Sequence, residues 1–103
     1  MQAFLIDPSK KVITAIELTH AESEIAGLIG QKSIGFDEID DNGDRLYFDE
    51  ACFINEKPGG GRFKLDSLPP VAGCGVVVGA DKSGALQAAC ISAGSLASRV
   101  KFL

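Results

Sequence analysis

Turn-forming residues interrupt this chain at short intervals, and the apolar segments between them have room only for short strands and one packed helix. Asp7-Pro8-Ser9-Lys10 separates residues 3–6 from 12–18, with Asp and Pro at the first two positions that a type I turn prefers. Asp41-Asn42-Gly43-Asp44 separates residues 34–39 from 46–54. Its Asn-Gly pair predicts a type I′ hairpin, in which both central residues take positive φ. Lys57-Pro58-Gly59-Gly60-Gly61 forms a loop before the alternating Arg62-Phe63-Lys64-Leu65-Asp66, and Pro69-Pro70 holds the chain extended. Asp81-Lys82-Ser83-Gly84 then turns it into a strand over residues 86–91.

Thr19-His20-Ala21-Glu22 reads as a capping box, the Thr19 hydroxyl accepting from the Glu22 amide while the Glu22 carboxylate reaches back. The helix it opens, near residues 20–29, carries Ala21, Ile25, Leu28 and Ile29 on one face and closes at Gly30. Val76-Val77-Val78 is apolar without alternation, which predicts a central strand covered on both faces. Residues 99–103 alternate again, after a helical turn around Ser95 to Ser98. The fold class that follows is α+β: a mainly antiparallel sheet of about seven or eight short strands, a roll or half-barrel, with one packed helix.

A chain of 103 residues, 46% hydrophobic and 23% charged, is expected to form a single domain spanning 1–103. The net charge of −4 leaves no basic face for a phosphate backbone, so nucleic acid is not the expected partner. The N-terminus lacks a basic leader and no segment approaches a membrane span, which makes the expected location cytoplasmic, with no membrane partner. Cys52, Cys74 and Cys90 are odd in number, widely spaced and accompanied by one histidine, so they are read as small core residues. Neither a disulfide framework nor a metal or other cofactor is expected.

Half of the 14 acidic residues fall in one stretch, Asp37, Glu38, Asp40, Asp41, Asp44, Asp49 and Glu50, with Arg45 alone to offset them. Glu38, Asp40, Asn42, Gly43 and Asp49 can be laid over a calcium loop. Glu in the first ligand position, the shorter Asp in the last, and strand-like flanks weigh against it. The cluster is read instead as an acidic hairpin, residues 37–50, whose focused field attracts a basic protein surface. Mimicry of DNA would need far more charge than −4.

Other stretches are weaker. Gly73-Cys74-Gly75-Val76-Val77-Val78-Gly79 has one residue too many for a dinucleotide fingerprint and no helix to receive a pyrophosphate. Lys82-Ser83 has Asp81 where a phosphate-binding loop needs Gly. Cys74 and His20 are the one thiol and imidazole that could form a catalytic pair. Lys57, Arg62 and Lys64 frame the glycine loop with a small basic spot. Asp49 and Glu50 interrupt an apolar strand, so one is expected to face inward or sit at a bulge. That arrangement serves either an edge strand guarded by inward charge or a carboxylate pair at work in catalysis.

Residues 44–50 and 62–66, followed by Pro70-Val71-Ala72-Gly73 and Val76-Val77-Val78-Gly79, resemble small uncharacterised domains carried by phages, plasmids and their bacterial hosts. The likeness spans roughly the C-terminal two-thirds of the chain and consists of turns and strands. It implies a mobile-element accessory protein that binds a host component, and it assigns no functional residues. The reading as a whole is a non-enzymatic binding module docking a basic partner through the acidic hairpin. The alternative is a small-ligand-binding or hydrolytic enzyme using Asp49 or Glu50 beside the glycine-rich strand 73–79. Open strand edges leave room for a homo-oligomer. Exchange of Asp40 and Asp44 for Asn is expected to separate docking from catalysis.

Overall fold

The computed structural model describes residues 1–19, 22–30, 34–50, 61–66 and 68–103. The strands are β1 (Gln2–Asp7), β2 (Val12–Glu17), β3 (Ile34–Glu38), β4 (Asp44–Asp49), β5 (Arg62–Leu65), β6 (Val71–Ala72), β7 (Gly75–Ala80), β8 (Leu86–Gln87) and β9 (Val100–Phe102). Helix α1 (Glu22–Ile29) lies between β2 and β3, and α2 (Ala93–Arg99) between β8 and β9. The architecture is α+β, as expected, and every strand pairing found is antiparallel. The strands divide between a six-stranded sheet, ordered β2-β1-β7-β4-β3 with β8 also on β7, and a three-stranded sheet, β6-β5-β9.

Alternation along the central strands decides which layer each residue joins. Phe4, Ile6, Leu46, Phe48 and Val77 face the small sheet and α2, packing with Phe63, Leu65, Val71, Leu96 and Val100. Ala3, Tyr47, Val76 and Val78 face the other way, with Leu18 and with Ile25 of α1. Both faces of β7 are therefore covered, and all six of its residues are buried. Gly75 is needed there because a Cβ would fall 2.6 Å from Phe63 Cζ and 3.0 Å from Leu46 Cδ1.

Local hydrogen bonds decide how each turn and helix end is built. The β1–β2 turn is built by Asp7, whose Oδ1 accepts from the Ser9 hydroxyl (2.7 Å) and amide (3.1 Å), and Lys11 closes it at φ 55°. The amide and hydroxyl of Thr19 meet the carboxylate of Glu24, five residues on, two further than the span of a capping box. Gly30 caps α1 at φ 79°, its N–H donating to Ala26 O at 2.8 Å. In the β3–β4 loop Ile39 N–H donates to Asp44 O, and Gly43 (φ 99°) has left-handed backbone where Asn42 does not. This is a wider loop than type I′, because the Asn42 side chain accepts from Asp44 N–H at 3.1 Å. The helical turn expected at residues 95–98 is α2, with Ser92 as its N-cap accepting from Ser95 N–H.

The strand expected over 86–91 stops at Gln87. Beyond it the chain crosses the face of the large sheet at Gly79, where a Cβ would fall 2.7 Å from Ala88 O. Asp44 is the register partner of Gly79. Its carboxylate takes the amides of Cys90 (2.8 Å) and Ile91 (2.9 Å), which would otherwise have continued the ladder. A glycine makes room and a carboxylate ties the passing chain down.

Candidate functional site

The acidic stretch divides three ways. Asp44 (0% exposed) and Asp49 (3%) are buried, so neither carboxylate is presented to a partner. Asp40 is half-buried and accepts from Arg99 Nη1 at 2.9 Å. Asp37 is half-buried on β3, while Glu38, Asp41 and Glu50 are exposed. Glu50 lies over Gly35, at the opposite end of β4 from the hairpin loop. Asp49 does face inward, but on an interior strand between β7 and β3, so edge protection is not its role.

Arg99, at the end of α2, braces the loop. Its guanidinium donates to Asp40, to the Ile39 carbonyl at 3.2 Å and, through Nε and Nη2, to Asp66. These two carboxylates hold the Arg99 pKa above its ordinary value. Asp66 itself sits at φ 51°, a conformation that Asp tolerates better than most residues.

The braced loop forms one wall of an open cleft of about 560 Å³, and the turn joining β7 to β8 forms the other. Glu38, Asp40, Asp41 and Asp81 line it, against Arg45 and Lys82. Gly43 is required at its base, because its backbone is left-handed and any Cβ would collide with Ala80 O. Asp81 is fixed by its own turn, accepting from the Ser83 hydroxyl (2.6 Å) and amide (2.8 Å) and from Ala85 N–H (3.0 Å). Those hydrogen bonds, that of the Ser83 hydroxyl foremost, hold its carboxyl below the usual range. The Arg45 guanidinium stacks 4.0 Å from the centre of the half-exposed Phe36 ring and donates to Tyr47 OH at 3.4 Å. Among the described residues, no hydrogen bond or ion pair engages Glu38 or Asp41.

No protein-family model, curated protein or solved structure matches this chain. The site is therefore read from its own geometry.

That geometry bears on the remaining candidates. Asp49, one of the residues that could be laid over a calcium loop, stands at the far end of β4 from Asn42 and Gly43. Among the described residues, no group of three or more His, Cys, Asp or Glu side chains is arranged to hold a metal ion. Cys74 is half-buried, and burial first, then the charge of Asp7, raises its thiol pKa, the opposite of what a nucleophile needs. His20 and Cys52 lie outside the described residues, as do Lys57 and the first two glycines of the glycine loop. Cys90 is exposed and so is not a core residue; its amide, held by Asp44, fixes its place. Neither Asp49 nor Glu50 lines the acidic cleft, although β4 does pair with β7. Asp81 is a site residue that the sequence marks only as a turn former and as a misfit to a phosphate-binding loop; no local signal links that turn to the β3–β4 loop. Among the described residues, no helix is long and apolar enough to cross a membrane.

Proposed function

We propose that this protein is a non-enzymatic binding module of the cytoplasm, which docks a basic protein surface at the cleft between the β3–β4 loop and the β7–β8 turn. The observation that carries this reading is the convergence of Glu38, Asp40, Asp41 and Asp81 on one open cleft whose walls are held by hydrogen bonds. Glu38 and Asp41 are the carboxylates that meet the partner's Lys or Arg side chains. Asp40 and Asp81, engaged already, add to the field without moving. A site for a small apolar molecule would be enclosed and mostly apolar, whereas charged and polar side chains dominate this one. Carboxylates near the surface act mainly on encounter rate, so binding is expected to weaken as salt is raised. In the mobile-element setting that the likeness to phage- and plasmid-borne domains implies, the partner is a host component.

The test uses a Lys- and Arg-rich peptide as probe, at low and high salt, against the native chain and the double variant Glu38→Gln, Asp41→Asn. This pair replaces Asp40 and Asp44, because Asp44 is buried and Asp40 is committed to Arg99. An affinity that falls about tenfold in the variant, mostly through association rate, supports docking. Binding indifferent to both salt and substitution refutes it. Capture from the source cells then identifies the natural partner.

A further inference from the structure

We propose that β2 pairs with β2 of a second copy of this chain, antiparallel about a two-fold axis at Thr14, joining two large sheets into one. The inference is independent of the acidic cleft. β2 ends the large sheet, and among the described residues no strand pairs with its outer edge. Its register with β1 runs unbroken from Gln2↔Glu17 to Asp7↔Val12, with no bulge to twist that edge away. Residues 12–17 hold no proline, and their one charge is Glu17 at the end. The opposite edge, β3, carries Asp37 and Glu38, the charges that commonly discourage strand addition.

The hydrogen-bond pattern shows which backbone groups are available. Met1 and Leu18 exchange both bonds, Leu18 N–H to Met1 O (2.9 Å) and Met1 N to Leu18 O (2.8 Å). In an antiparallel ladder such pairs alternate, so Ile16, Thr14 and Val12 also turn their N–H and C=O toward β1. Ile13, Ala15 and Glu17 turn theirs outward. With the axis at Thr14, Ile13 faces Ala15 of the second copy, and these outward groups bond to one another.

That register is also complementary in side chains. Val12 stands opposite Ile16 of the second copy, and Lys11, the turn residue that precedes the strand, comes beside its Glu17. Val12 is 44% exposed, while Ile16, Leu18, Gly27 and Leu28, with Glu17 and Glu24 beside them, line a groove between β2 and α1. Val12 and Ile16 share a face of the strand, and Ile16 packs with the layer that holds α1. Val12 of each copy thus reaches the other's groove, where Leu28 is 38% exposed. The Glu17 carboxylate, 80% exposed and 3.3 Å from the terminal ammonium, has capacity for a second cation. Within one copy Lys11 and Glu17 lie roughly 20 Å apart along the strand and cannot meet.

Sedimentation equilibrium over a range of concentrations tests the proposal with four variants. The native chain is expected to rise from 10.8 kDa toward twice that mass. Ala15→Pro removes an outward N–H that β1 does not use, and should abolish the rise while circular dichroism stays native. Lys11→Glu and Glu17→Lys each oppose like charges and should weaken association about tenfold. The combined exchange, Lys11→Glu with Glu17→Lys, should restore it, since those two residues can meet only across copies. If Ala15→Pro does not fold, the charge exchange decides the matter by itself. A native chain that stays at 10.8 kDa, an association that a folded Ala15→Pro leaves intact, or a combined exchange that restores nothing overturns the proposal.

Discussion

Asp44→Ala isolates the carboxylate that ties the segment after β8 to the large sheet. Asp44 is fully buried and accepts from the amides of Cys90 and Ile91 at 2.8 and 2.9 Å. Hydrogen bonds to a charged group contribute about 1.5 to 3 kcal/mol each. Cys90 is exposed, so water can partly replace the lost acceptor, and the lower end applies: about 3 kcal/mol for the pair. For 103 residues the unfolding entropy is about 0.2 kcal/mol per degree, which converts that loss into a melting point lower by about 14 °C. Urea titration and thermal melts followed by circular dichroism measure it. Hydrogen exchange should show the amides of residues 90 and 91 losing protection before the core does. Asp41→Asn, an exposed change in the same loop, is the control and should stay within about 0.5 kcal/mol of the native chain. An Asp44→Ala protein as stable as that control would refute the clamp.

Three further outcomes can be checked in the same assays. Arg99→Ala should cost about 1 to 2 kcal/mol, since its partners are partly exposed, and should shift the amide resonances of residues 39, 40 and 66 together. Gly75→Ala should cost about 2 to 3 kcal/mol in urea, because the new methyl meets Phe63 and Leu46 in a packed layer. Asp81 has its folded pKa depressed, so its contribution to stability is complete above the ordinary carboxylate range and is lost as pH falls through the folded value. Asp81→Asn should therefore lose less stability than the native chain between about pH 5 and pH 2, and an identical acid limb in the two proteins would contradict the assignment.

What could be read from the residues was whatever depends on near neighbours. The unalternating run at residues 76–78 announced a strand covered on both faces, and β7 is that strand. The turns at Asp7 and Asp81 were legible because a short acceptor side chain reaches its own backbone two residues on. Glycine 30 closed its helix as its position suggested. Long-range contacts were not legible. Asp44 and Asp41 look alike in an acidic run, yet one is buried and the other exposed, and only the passage of residues 88–91 over Gly79 separates them. The same passage ended β8 early. Nor does anything near Arg99 indicate Asp40, and the cleft needs both the loop that this contact braces and the turn at Asp81. Net charge and clustering mark the acidic stretch, but they could not say which of its carboxylates reach the surface.

Arg99 and the amides of residues 90 and 91 hold the β3–β4 loop from the other end of the chain, across 59, 46 and 47 residues. During synthesis the acidic hairpin emerges complete, with all its carboxylates, long before the ribosome has made anything to brace it. A chain interrupted before residue 90 would keep all of that charge and every residue that lines the cleft, and would lack the contacts that hold the loop in place. If the cleft docks a partner as proposed, binding also reports that the C-terminal segment has been made and folded back.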